Sequence, residues 1–220
     1  MTTTTSDWDR AAAAVRDGAD ELRAASTHRE VREWAKSAKV ATKTLWPKVK
    51  VEMRKQLDLD YDLLRETTMA RERADLEAAA VGAPAVRLCV AGDAEVGTFA
   101  VCAAADDHES WYGTFHPDDR IYVEGDDQAA ELAAADKAVF LAGKVREDLG
   151  VAAINLTIVT TYPDLDAADV AGTSARYRVA VRIEHSEVNP AVSLCRAPGY
   201  RTWREIRLNR LVDGTQQGAA

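Results

Sequence analysis

The feature that most constrains this chain is a change of hydrophobic period at Gly82-Ala83-Pro84. Before it, apolar residues recur every three or four positions, which is the spacing of a helix face. After it they alternate or run in short blocks, which is the spacing of strands. Pro removes a backbone donor and Gly opens conformations closed to other residues, so the tripeptide interrupts both kinds of element. The tripeptide is expected to mark a domain boundary. The expected organisation is an N-terminal helical region at 1–82, an α+β domain at 83–213 and a frayed tail at 214–220. With 220 residues, 47% of them hydrophobic, the chain is long enough for one good-sized core and a smaller helical appendage.

In the first part, Trp8, Ala12, Val15, Ala19 and Leu22 predict a helix running from a cap at Asp7 to about Ala25. Thr27-His28-Arg29-Glu30 is a capping box that opens a second helix, with Val31, Trp34, Ala35 and Ala38 facing inward. Pro47 suits the first turn of a third, which carries Trp46, Val49, Met53 and Leu57, and a fourth is expected over 60–80. In the second part, short β-like runs at 85–90, 97–104, 110–115 and 120–123 read as an antiparallel meander. Asp126 and Asp127 then cap a helix to about Leu149, with Leu132, Ala135, Val139 and Ala142 on one apolar face and Glu131 at its margin. The β-branched run at 154–161 has the character of an inner strand, a polar connection fills 162–174, and 177–184 alternates as a last strand before Asn189-Pro190. A helical tail is expected over 199–211, with Trp203 and Ile206 packed.

Charge separates along the chain more than the net value of −8 indicates. From His28 to Lys55 nine Lys and Arg stand against three Glu, from Arg196 to Arg210 five Arg stand against Glu205, and the stretch between is acidic. Arg32, Lys36, Lys39 and Lys43 recur at helical spacing near Trp34 and Trp46, and Arg201, Arg204, Arg207 and Arg210 lie near Trp203. Basic side chains beside aromatic ones are the composition that meets phosphates and stacks on bases, so both segments are candidate nucleic-acid-binding surfaces for RNA or DNA. The alternative is that these basic faces dock on the chain's own acids.

Cys89, Cys102 and Cys195 share no metal-binding spacing and sit in apolar runs, so buried thiols are expected. No apolar run reaches the length of a membrane span, and the N-terminus has neither the basic nor the apolar region of a signal peptide. A cytoplasmic protein without a membrane partner is the expectation.

Three antiparallel strands, a helix that opens with an acid beside its packed face and then an inner strand form an order that resembles the ribonuclease H-like family. The likeness is closest at Asp126-Asp127-Gln128-Ala129-Ala130-Glu131-Leu132-Ala133-Ala134 and spans roughly 85–189. It implies an α+β fold with a mixed sheet. It also implies a centre in which acids from the first strand, this helix and the end of the fourth strand hold two divalent ions, Mg or Mn, for phosphodiester cleavage. Glu131 matches the helix acid, whereas the first-strand position falls at Ala91 and the fourth-strand position at Thr161. Asp93 and Asp164 are the nearest carboxylates, so the implied catalytic and metal set is Glu131, Asp93 and Asp164. His185 and Asn189 stand near the family's late His/Asn region. With one acid of three in place, the resemblance implies a nucleic-acid-binding protein that keeps the architecture and has lost cleavage. One alternative is a metal-dependent nuclease built on Glu131, Asp93 and Asp164. The other is a structural or interaction protein that assembles as a homo-oligomer through its N-terminal helices.

Overall fold

A computed structural model of the chain describes residues 6–212, so the tail at 214–220 lies outside the described residues. The chain divides into two compact units, Met1–Ala74 and Asp75–Ala220.

The first unit is helical: α1 (Asp7–Asp17), α2 (Ala19–Ala24), α3 (His28–Ser37), α4 (Trp46–Leu57) and most of α5 (Tyr61–Ala80). Its core is formed by Ala11, Val15, Leu22, Val31, Trp34, Val49 and Met53. The single helix expected to reach Ala25 is broken at Gly18, where a Cβ would lie 2.2 Å from the Trp34 indole nitrogen; the Trp34 ring takes the space a side chain would need. Ser6, not Asp7, caps α1, its hydroxyl accepting the Asp9 N–H at 3.1 Å. The Thr27/Glu30 capping box opens α3 as expected. The end of α5 belongs to the second unit, since the Asn155 amide donates to the Ala80 carbonyl at 2.8 Å. The division therefore falls inside α5 and not at Gly82-Ala83-Pro84, which marks the turn from helix to strand.

The second unit is α+β, built on a five-stranded mixed open sheet of β1 (Ala85–Asp93), β2 (Thr98–Ala103), β3 (Ser110–Thr114), β4 (Ile154–Thr160) and β5 (Val179–His185). The spatial order is β3-β2-β1-β4-β5. The meander β1–β2–β3 is antiparallel, while β4 runs parallel to both β1 and β5, so the 154–160 run is an inner strand as its composition predicts. One face of the sheet lies under α6 (Asp127–Leu149), where Val86, Leu88, Val90, Ile154, Leu156 and Ile158 meet Ala130, Ala134, Leu141 and Val145. Small residues on α6 let it approach closely. On the other face, Cys89, Ala91, Ala100, Cys102 and Val159 pack with Ala191 and Cys195 of α8 (Pro190–Cys195). The three cysteines are free, buried thiols on this face.

Three expectations are corrected. Residues 120–123 form no strand, because the Asp119 carboxylate accepts the N–H groups of Ile121 (3.1 Å) and Tyr122 (3.3 Å) and curls the backbone into a loop. The connection after β4 contains a helix, α7 (Ala171–Tyr177), whose Thr173 hydroxyl bonds Asp136 and whose Tyr177 ring packs edge-on to Phe140 of α6. The tail is not one helix. It folds as two 3-10 turns, Trp203–Glu205 and Leu208–Arg210, laid against the unit by Trp203 on Phe140, by buried Ile206 and Leu211, and by a backbone bridge from Arg201 to Tyr112 of β3.

Candidate functional site

The ends of β1 and β4 and the start of α6 converge on Glu131. Asp126 caps α6 by accepting the Ala129 N–H at 3.0 Å, and this start fixes which side of the first turns faces the sheet. Gly92 makes the approach possible: a Cβ there would lie 2.3 Å from the carbonyl carbon and oxygen of Ala130, so only a residue without one lets α6 rest on β1. Glu131 is thereby 4% exposed. One carboxylate oxygen accepts the Gly92 N–H at 2.8 Å and the other accepts the Thr160 hydroxyl, which in turn accepts the Tyr162 N–H at 2.9 Å. Burial pushes the Glu131 carboxyl above its ordinary range, and the bonds from Thr160 and Gly92 offset part of that rise.

The residues that face Glu131 are each one position from those the resemblance indicates. Ala91 points to the α8 side of the sheet, among Cys89, Ala100 and Val159, so Gly92 is the β1 residue at the carboxylate. At the end of β4, Thr160 is the partner and Thr161 is exposed. Side chains alternate along a strand, so a displacement of one residue turns a position to the opposite face. The signal was available for Thr160, which has the parity of buried Ile154, Leu156 and Ile158.

Asp93 and Asp164 do not join Glu131. The Asp93 carboxylate closes the β1–β2 turn, accepting from Glu95 and Val96 N–H at 3.1 Å each, and pairs with Arg196 at 3.1 Å. The Val96 N–H leads the groups that hold its carboxyl below the usual range, with Arg196 adding to it. Asp164 is exposed in the loop after β4. Among the described residues, one group of three possible ligands has its atoms within 4.8 Å of one another, namely Asp106, Asp107 and His108 on the β2–β3 connection. Divalent ions of the magnesium kind take several oxygen ligands, and two of them need several carboxylates. One carboxylate already holding an N–H and an O–H does not fit that requirement.

The rim of this end is acidic. Burial, and then the charges of Asp164, Asp126, Asp127 and Glu131, raise the Tyr162 phenol above its ordinary pKa. Beside them, Asn189 caps α8 by accepting the Ala191 N–H at 3.0 Å, and its amide donates to the Val90 carbonyl at 2.7 Å, which fixes α8 to the end of β1.

The basic segments are arranged differently from the sequence expectation. Of the predicted stripe Arg32, Lys36, Lys39 and Lys43, Arg32 and Lys36 alone lie on α3, since the helix closes at Ala38, Lys39 takes a left-handed conformation (φ 58°), and Lys43 lies in the following turn. Val40 closes this turn by donating to the Ala35 carbonyl and burying its side chain, which carries the chain off the helix axis. Trp34 is a core residue against Gly18 and not a surface ring. Arg32 stacks over Trp46 at 4.6 Å, while Lys48 pairs with Asp7, Lys50 with Asp62, Arg54 with Asp60 and Arg29 with Glu72. Much of the charge in this helical unit is thus answered within it. In the tail, Arg207 and Arg210 reach the buried carboxylate of Glu109 at 3.4 and 3.7 Å, Arg201 donates to the His108 carbonyl, and Arg204 covers Trp203 at 5.1 Å. Tyr200 beside them is 77% exposed.

The geometry defines an α+β protein with a five-stranded mixed open sheet and a buried carboxylate at the junction of the central strand β1 with its inner neighbour β4. Comparison with family models, with curated proteins and with solved structures gave no match for the chain. No described helix is long and apolar enough to cross a membrane.

Proposed function

We propose that the protein binds nucleic acid and that its second unit is a ribonuclease H-like domain without cleavage activity. The observation that carries this reading is the pairing of Glu131. Its carboxylate stands where the start of α6 meets the ends of β1, the first strand of the antiparallel meander, and of the inner strand β4, but it faces a backbone N–H and a hydroxyl where cleavage would need further acids. The binding part rests on the tail, where Arg204, Arg207 and Arg210 are exposed beside Tyr200 and Trp203. The acids around Tyr162 repel a phosphate backbone, so the basic, aromatic tail is the favoured surface, with Arg32 on Trp46, Lys39 and Lys43 as a second one.

Anisotropy of labelled single strands, duplexes and RNA–DNA hybrids across a salt series tests binding. The expected affinity falls steeply with salt, and Arg204→Ala lowers the logarithmic salt slope by about one. A flat salt dependence, or no binding at low salt, removes the nucleic-acid reading. Incubation of the same substrates with magnesium or manganese tests the second part: cleavage that disappears with Glu131→Gln would show an active centre and overturn it.

A further inference from the structure

The outer edge of β5 offers a ladder of unused backbone groups. The Arg178 carbonyl accepts from Ile154 and the Ser186 N–H donates to Thr160, so even-numbered residues along β5 direct their backbone groups to β4. These groups alternate in direction along a strand, which turns the N–H and C=O of Val179, Val181, Ile183 and His185 outward. Among the described residues no hydrogen bond reaches any of these outward groups. The strand has no proline and its register with β4 is unbroken by a bulge, so two common devices that blunt a free edge are missing.

We propose that this edge pairs with β5 of a second copy of the chain, antiparallel, across a two-fold axis at Ile183. The charges select both occupant and register. Arg182 and Glu184 flank Ile183 and point to the same face, so pairing about Ile183 sets each Arg182 opposite the other copy's Glu184. An axis at residue 182 stacks arginine on arginine, and one at residue 184 stacks glutamate on glutamate. An axis between residues sets outward groups against inward ones and forms no ladder. Within its own chain Glu184 already bonds the Arg87 guanidinium, so the pairing places the carboxylate between two arginines. On the α6 face Val181 lies opposite the second copy's His185. The pairing joins two five-stranded sheets into one of ten strands.

Sedimentation of the full chain over a concentration series gives the first test. A dimer is expected that weakens with salt, and Arg182→Glu, on an exposed side chain, raises the dissociation constant by about tenfold or more by setting glutamate opposite glutamate. Cross-linking fixes the register. Residues 182 and 184 form a non-hydrogen-bonded pair across the axis, close enough for a disulfide, so the double variant R182C/E184C is expected to give a covalent dimer under mild oxidation while R182C alone is not. A chain that stays monomeric throughout overturns the proposal. So does a dimer indifferent to Arg182→Glu, which would place the contact elsewhere, as on the N-terminal helices. Cross-linking by R182C alone would also overturn it, because that shows an axis at residue 182. None of these outcomes depends on nucleic-acid binding.

Discussion

Glu131 shows its burial in its proton affinity. Loss of water outweighs the bonds from Thr160 and Gly92, so its pKa in the folded chain lies above that of the unfolded chain. A group shifted in this direction contributes stability that is fully present below the unfolded value, near 4.5, and is lost as pH rises through the folded value. Glu131→Gln keeps an acceptor for the Gly92 N–H and offers an amide donor to Thr160 without the buried charge. Its melting temperature relative to the native chain is expected to rise from acid toward neutral pH, with the other carboxylates cancelling in the difference; a constant difference across that window would refute it. Gly92 carries the complementary prediction. Gly92→Ala drives a Cβ into the Ala130 peptide and is expected to cost about 1–3 kcal/mol, measured by denaturant unfolding, as the rigid backbone on both sides cannot yield cheaply. At this scale the sequence showed Glu131, because helical periodicity alone sets it beside the packed face. Its partners were read one residue off, because the facing side of a strand end depends on pairing with its neighbours, and that pairing is non-local.

At the scale of elements, legibility followed length and period. Most of α6 was visible from its caps and apolar face, β4 from its β-branched run, and α3 from its capping box. The short α7 and α8 were not, since about two turns of helix carry too little periodicity to stand out. The order Gly199 to Leu211 has arginines at helical spacing, yet the chain there is held by tertiary contacts in 3-10 turns and not by its own ladder. Glu109 is the main clasp: 2% exposed, it accepts the Arg207 N–H at 2.8 Å and draws in Arg207 and Arg210. Glu109→Ala leaves that N–H without its acceptor and is expected to lower stability by about 1–3 kcal/mol. Limited trypsin digestion should then cut at the tail arginines before the sheet unfolds, whereas native-like protection of the tail would show that Trp203, Ile206 and Leu211 suffice to hold it.

At the scale of the whole molecule, the change of period at Gly82 was read as a boundary between domains, and it is instead a change of element within the second unit. Helix α5 carries a single uninterrupted pattern past the point where its packing partners change, and sequence alone gives no sign of that. The sheet order has a different kind of consequence. β1 lies at the centre between β2 and β4, but β4 leaves the ribosome only after β2, β3 and the whole of α6. At a synthesis rate of about 5–20 residues per second, the inner edge of β1 waits on the order of several seconds for its partner. During that interval the nascent meander leaves the β1 edge unpaired, and α6, emerging before β4, is the part of the chain available to cover the apolar face of β1 beside that edge.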